Sequence, residues 1–255
     1  MSTDIRSDLV DRLIEHCSLP CVTGDEDPIA SAVVDHYEEL GLPTRRIGNS
    51  VVVGAWSGER PLVLLVGHLD VVPPTEDDLQ PRLETRDDVD VVVGRGASDM
   101  KSGNVVAMSL LEDEALARAT PYDIALVLYA GEEGPAEGNE LEDVLADATW
   151  LREASLAVIC EPTDGEVQAG CLGGIHALLT FEGRQAHSAR PWHGENALTK
   201  AGSFLAELHT RSPREVEVEG VQFFDVWSAT QANTDNARNV IPGRFVVNLN
   251  YRFAP

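Results

Sequence analysis

Four short stretches carry the side chains with most chemistry in them: Gly67-His68-Leu69-Asp70, residues 94–103 (GRGASDMKSG), Ala130-Gly131-Glu132-Glu133-Gly134 and Cys160-Glu161-Pro162-Thr163. Residues two apart in an extended chain point the same way, so His68 and Asp70 can face one site. A neutral imidazole is a good zinc ligand, and a carboxylate beside it orients the ring and raises its basicity. Asp99 follows a glycine-rich turn ahead of a helical stretch; it can bridge two metals or simply cap the helix. Glu132 and Glu133 are adjacent, so their side chains diverge, and one can bind a metal while the other addresses its water. Adjacent carboxylates after a buried strand are costly unless something positive pairs with them. Glu161 closes another apolar strand. Taken singly, each residue has a plain structural alternative: a strand-end hydrogen bond, a helix cap or a solvated acidic loop. Together they put one histidine and four or five carboxylates at the ends of successive strands. Such mixed donors suit a catalytic zinc with open positions. Two metals sharing a carboxylate would lie roughly 3.5–4 Å apart and polarise both water and a substrate carbonyl.

The elements that must position these groups follow from hydrophobic period. Helical spacing is expected over residues 7–17 (Leu9, Val10, Leu13, Ile14) and over 27–40 (Ile29, Val33, Tyr37, Leu40), with Pro28 in the first turn of the second. Continuous apolar runs at 61–67 (PLVLLVG) and 123–130 (DIALVLYA) read as strands buried on both faces. Further strands are expected at 50–56, 90–94 and 156–160, helices at 101–118 and 139–153, and a solvated charged loop at 83–90. Strands alternating with helices indicate an α/β domain with a mainly parallel twisted sheet, whose ligands sit beyond the carboxyl ends of the strands. The pattern changes near Gly170. Beyond it, a strand at 177–183, a helix at 194–209 and a strand at 246–253 suggest a smaller α+β unit. The expected domains are 1–172 and 173–255.

Composition narrows the functional classes. The net charge is −24, and lysine occurs only at positions 101 and 200, so nucleic acid is an unsuitable partner for want of a basic face. Cys17, Cys21, Cys160 and Cys171 form no C-x-x-C pair and read as reduced thiols of a cytoplasmic protein. The first ten residues lack the basic and apolar regions of a signal peptide, and no apolar run is long enough to span a membrane.

In order and spacing, His68-Leu69-Asp70-Val71-Val72-Pro73, Asp99-Met100-Lys101-Ser102-Gly103, Gly131-Glu132-Glu133-Gly134 and Glu161-Pro162-Thr163 resemble the co-catalytic metallopeptidases, a family of deacylases and aminopeptidase-like exopeptidases. Within it, Ala186-His187-Ser188-Ala189-Arg190-Pro191, Asn239-Val240-Ile241-Pro242 and residues 248–255 are similar to the actinobacterial desuccinylases that release succinate from N-succinyl-LL-2,6-diaminopimelate, a step of lysine and diaminopimelate biosynthesis. The resemblance implies a catalytic domain with an inserted lid and dimerisation domain, two zinc ions (cobalt or manganese also fitting) and a homodimer acting on a small N-acylated amino acid. It implies that His68, Asp99 and Glu161 hold one metal, and that Asp99, Glu133 and a late histidine hold the other. Glu132 would be the general base and Asp70 the support of His68. His187 would steady the tetrahedral intermediate in the partner subunit's site, and Asn239 and Arg252 would hold substrate carboxylates. Where many relatives carry Arg-Arg-Gly-Ser, this chain has Cys171-Leu172-Gly173-Gly174. The resemblance also implies that the chain stops at Pro255 inside the lid, ahead of the late histidine. Other readings stay open: a different deacylase of the family, such as an acetylornithine deacetylase or aminoacylase, or an inactive fragment serving as a metal-binding or interaction module.

Overall fold

The computed structural model describes residues 5–168 and 170–255. Residues 1–4, part of the stretch read above for a leader, and Ala169, inside the expected domain boundary, lie outside the described residues. The chain divides into two compact units, Met1–Gly165 and Glu166–Pro255.

The first unit opens with α1 (Ile5–Ser18) and α2 (Asp27–Glu39), continues through β1 (Thr44–Ile47), β2 (Ser50–Val53) and β3 (Leu62–His68), and then forms β4 (Arg82–Arg86) and β5 (Val89–Val93). After a tight turn at Ala97–Lys101 come α3 (Ser102–Glu112), α4 (Glu114–Ala119), β6 (Asp123–Tyr129), α5 (Leu141–Asp147), a short 3-10 turn at Thr149–Glu153 and β7 (Leu156–Ile159). Five strands make one sheet in the order β1-β2-β6-β3-β7. β6, β3 and β7 run parallel, while β1 and β2 add to the edge antiparallel. The sheet is therefore mixed, with the parallel part where the apolar runs lie.

Alternation survives inside those runs and splits the core between the two faces. Val51, Val53, Leu65, Leu126 and Leu128 pack with Ile29, Val33 and Tyr37 of α2 and with Ala107 and Met108 of α3. Val52, Leu64, Val66, Ala125 and Val127 pack on the other face with Val144 of α5 and with Leu151. Helices thus cover both faces, as parallel strands require.

Two expectations for the first unit are corrected. Residues 83–90 are a β4–β5 hairpin rather than a loop, with the register running from Arg82 opposite Val93 to Arg86 opposite Val89. Asp87 and Asp88 both take positive φ (49° and 61°), the backbone of the turn whose twist matches paired strands. The single helix expected over 101–118 is broken at Asp113, which leaves helical geometry (φ −75°, ψ 95°) and caps α4 by accepting from the amides of Ala115 and Leu116. The buried face of α3 is Asn104, Val105, Ala107 and Met108, while Val106 and Leu110 are exposed.

In the second unit, β8 (Gly173–Glu182), β10 (Arg214–Val218), β11 (Val221–Asn233) and β13 (Arg244–Phe253) form an antiparallel sheet in the order β10-β11-β13-β8. The helix expected over 194–209 is two, α6 (Ala197–Lys200) and α7 (Gly202–Thr210). Ala197 and Ala201 pack on Phe245 and Val247, with Phe181 and Leu205 alongside. A two-residue ladder pairs β9 (Ala186–His187) with β12 (Val240–Ile241). Among the described residues no helix is long and apolar enough to cross a membrane.

Candidate metal centre

The parallel strands bring the first unit's acidic motifs to one end of the sheet. His68 is the last residue of β3 and lies in register with Tyr129, the last of β6. Glu132 and Glu133 follow β6 directly, and Glu161 follows β7. Asp99 comes from the turn before α3. It does not cap that helix; its backbone is extended there (φ −117°, ψ 100°), which frees the carboxylate. His68 Nε2 stands 3.1 Å from Asp99 Oδ1 and 3.6 Å from Glu161 Oε1. These three residues offer donor atoms all within 4.8 Å of one another. Two ligands of one tetrahedral ion, each ~2.1 Å from it, would be separated by roughly 3.4 Å, so the spacing fits a zinc-sized cation. The His68 side chain is fully buried, whereas those of Asp99 (55% exposed) and Glu161 (35%) open to solvent, which leaves coordination positions for water or substrate.

The hydrogen bonds fix which imidazole nitrogen is available. His68 Nδ1 lies 3.0 Å from the Asp70 carbonyl oxygen and 3.5 Å from its carboxylate. A carbonyl only accepts, so Nδ1 carries the hydrogen and, in the neutral ring, Nε2 has its lone pair toward Asp99 and Glu161. The Asp70 carboxylate is engaged elsewhere. Its Oδ1 accepts from the Glu132 amide (3.0 Å), and its Oδ2 accepts from the Glu133 amide (3.0 Å) and from Thr23 Oγ1 (2.9 Å). Asp70 therefore anchors the backbone of the acidic loop as well as supporting the ring. Burial alone would raise its affinity for a proton, yet His68 and these donors hold the carboxyl below the ordinary range.

Without a cation the cluster binds protons instead. Burial pushes the His68 imidazolium down, but the side chain of Asp70 and the charge of Glu161 outweigh it and hold the ring at about 9. Glu161 is pushed up to about 7 by burial and by Asp99 and Glu132, against the opposing pull of His68. Glu133 is also raised, first by burial and then by Asp99. Carboxylates raised by burial and by one another's charge favour a divalent cation among them.

Three supporting residues gave no sequence signal of their own. Thr23 reaches Asp70 across 47 positions. Asn104 Nδ2 donates to the His68 carbonyl at 2.7 Å, and the His68 amide points at Met100 Sδ at 3.3 Å. Asn104 was discoverable only as a polar residue on the apolar face of a helix.

In the second unit, His187 pairs with Val240, and the Ser188 amide donates to the Asn239 carbonyl at 2.9 Å, so His187 and Asn239 share one small ladder. His187 Nδ1 accepts from the Ala189 amide, so the neutral ring carries its hydrogen on Nε2. Arg252 lies at the other end of β13, opposite Gly174 and Val226. A side chain at Gly174 would meet the Arg252 guanidinium at 3.1 Å, and one at Gly173 would enter the Phe253 ring, so the two glycines give these side chains room.

Comparison with known proteins shows the family. A model of peptidase family M20/M25/M40 matches residues 64–242. A Mycobacterium tuberculosis protein assigned the name succinyl-diaminopimelate desuccinylase is 35% identical over 254 residues, which cover 99% of this chain and 70% of the relative. The succinyl-diaminopimelate desuccinylase of Corynebacterium glutamicum is 32% identical over 250 residues, 97% of this chain and 66% of that one. The crystal structure of an M20 family metallo-carboxypeptidase of Sulfolobus solfataricus superposes with a TM-score of 0.66 at 16% identity, covering 97% of this chain and 71% of that one. The chain thus spans about two thirds of the length of the proteins it matches.

Proposed function

The chain belongs to peptidase family M20/M25/M40, and from that premise we propose that it performs the metal-dependent hydrolysis of an acyl amide, releasing succinate from N-succinyl-LL-2,6-diaminopimelate. The observation that carries the reading is the His68, Asp99 and Glu161 donor group beside a Glu132–Glu133 loop held by Asp70. The substrate is that of the relatives named above.

In this reading His68, Asp99 and Glu161 hold one zinc ion, and Asp99 and Glu133 belong to a second; cobalt or manganese would satisfy the same donors. A bound ion supplies polarisation of the amide carbonyl and acidification of the attacking water. Glu132 takes that water's proton and delivers it to the departing nitrogen, as a general base and then a general acid. Asp70 keeps His68 in the tautomer that presents Nε2 and keeps the Glu132 and Glu133 backbone fixed. His187, with its hydrogen on Nε2, is a donor suited to the developing oxyanion, offered across a homodimer to the partner subunit's site. Asn239 and Arg252 hold substrate carboxylates. Residues 1–172 act as the catalytic domain and 173–255 as the lid.

Glu132→Gln tests the assignment. The substitution is expected to abolish desuccinylation while the variant still binds metal as the wild type does. Retained turnover would remove Glu132 from its role. A panel of succinylated and acetylated amino acids run beside it separates the desuccinylase from other deacylases of the family.

A further inference from the structure

Among the described residues, Lys101 is one of the most deeply buried charged side chains outside the metal centre, 1% exposed. Its Nζ makes two hydrogen bonds, to the His16 carbonyl oxygen at 2.9 Å and to Cys21 Sγ at 2.8 Å. Neither partner is a carboxylate, and burying an ammonium among a carbonyl and a thiol is costly. The chain otherwise avoids lysine, and the other one, Lys200, sits at the surface paired with Glu195. Cys21 is itself 3% exposed. Gly96 makes the approach possible: a side chain there would meet Lys101 Cε at 3.1 Å and Val71 Cγ1 at 2.5 Å. None of these groups has a part in amide hydrolysis as derived above. An arginine would satisfy the carbonyl equally well, but only an amine can become covalently joined to the neighbouring sulfur. The N–S separation is too long for a direct bond and inside nonbonded contact, which leaves the space of one bridging atom.

We propose that Cys21 and Lys101 are a modification site, forming an oxygen-bridged Sγ–O–Nζ crosslink on exposure to dioxygen. The thiol loses its hydrogen and the ammonium loses two. One S–O and one O–N bond form as the O–O bond breaks, and the second oxygen leaves as water with one proton released. Sulfur and nitrogen each give up two electrons, and dioxygen accepts all four. Dioxygen is the fitting oxidant because it is small and apolar, whereas disulfide reagents cannot reach a sulfur this buried. Two equivalents of a dithiol return the four electrons and restore thiol, amine and water.

The crosslink would tie two segments that meet at the metal centre. Lys101 ends the turn that carries Asp99. Cys21 begins a strap that is laddered to Val71 by the Val71 amide on the Cys21 carbonyl (3.0 Å) and the Thr23 amide on the Val71 carbonyl (3.2 Å). That strap delivers Thr23 to Asp70.

The test is mass spectrometry of the whole chain, purified in dithiothreitol and then held in air-saturated buffer without it. The expected product gains one oxygen and loses two hydrogens, yields a peptide pair joining Cys21 to Lys101, and reverts with dithiothreitol. Cys21→Ser and Lys101→Arg each remove the product, and Cys17→Ser keeps it. An unchanged mass in air overturns the proposal. So does loss of two hydrogens without oxygen, which marks a direct S–N bond or a Cys17–Cys21 disulfide, and so does oxygen on Cys21 without a crosslink. The wild-type spectrum decides the matter even where a variant fails to fold.

Discussion

Replacing Asp70 by Asn keeps the shape and removes the charge, and the hydrogen bonds specify which contact fails. The new amide must turn its nitrogen toward one of two sets of partners. On the Oδ1 side it would oppose the Glu132 N–H, which donates to that oxygen, and face the His68 Nδ1–H 3.5 Å away, both donors. On the Oδ2 side it meets the Glu133 N–H and the Thr23 hydroxyl, and a hydroxyl can turn from donor to acceptor. The nitrogen therefore goes to the Thr23 side, and the Glu133 amide is stranded. Losing one hydrogen bond to a buried carboxylate costs about 1.5–3 kcal/mol. In the metal-free protein this lowers the urea midpoint by roughly 1 M, given a slope of about 2–3 kcal/mol per molar. Displacing the loop and weakening the support of His68 lowers metal affinity by about 10–100-fold. Urea unfolding of the metal-free chain and competitive metal titration measure the two effects separately. Thr23→Ala, which removes only the hydroxyl, is expected to cost about 1 kcal/mol and change metal affinity far less. The reasoning fails if Asp70→Asn loses stability while its metal affinity stays that of the wild type, because the carboxylate would then support the fold without organising the site.

With His68 held at about 9 and Glu161 at about 7 in the metal-free protein, metal binding at pH 7 should release roughly one and a half protons, and affinity should fall as pH drops below 7; calorimetry in buffers of different ionisation enthalpy reads the proton count. Gly67→Ala should unfold the first unit or cost several kcal/mol, because the added carbon would lie 1.9 Å from Asn104 Oδ1 and 2.8 Å from Met100 Cε behind His68; a retained wild-type urea midpoint would contradict the packing. His16 is pushed down to about 4 by burial and by the Lys101 charge. Its folded value is below its unfolded one, so the unfolded chain takes the proton first as pH falls from 6.5 to 4, and about 3 kcal/mol of stability is lost over that window. Comparing urea midpoints of the wild type and His16→Gln at pH 7 and pH 5 isolates this share, which should be absent from the variant.

The candidate ligands were legible as local patterns: His68 and Glu161 as donor residues closing apolar runs, Asp99 as a carboxylate in a glycine-rich turn ahead of a helix. A parallel sheet converts that pattern into proximity without further information, since register sets His68 beside Tyr129 and the Glu132–Glu133 loop beyond it. What holds the ligands was not legible. Thr23 and Asn104 act 47 and 36 positions away from their partners, and nothing in a window around either residue marks the contact. The role given to Asp70 was legible only in part. Spacing placed it beside His68, yet the ring's short contact is with the Asp70 carbonyl, and the carboxylate serves the loop. Of the hairpin at residues 82–93, the second strand was expected but the first strand and the turn went unseen for a different reason: the turn is Asp87-Asp88, and a charged pair in an acidic chain looks like solvated loop until the positive φ values are known.

The division between what was legible and what was not also says where substitution should be tolerated. A ligand is defined by its donor atom and has few replacements. Its supports are defined by a direction of hydrogen bonding, so Thr23 can be replaced by another hydroxyl. Asn104 has a narrower range, because its amide must donate to the His68 carbonyl while its Oδ1 rests against the bare face of Gly67, where no hydrogen-bond partner meets it. Gly67, Asn104 and His68 form one packed unit, in which the absent side chain of the first makes room for the second to fix the third. Sequence variation at these three positions should therefore be coupled: a residue larger than glycine at 67 requires a smaller one at 104, and with it the loss of the bond that holds the end of β3 in place.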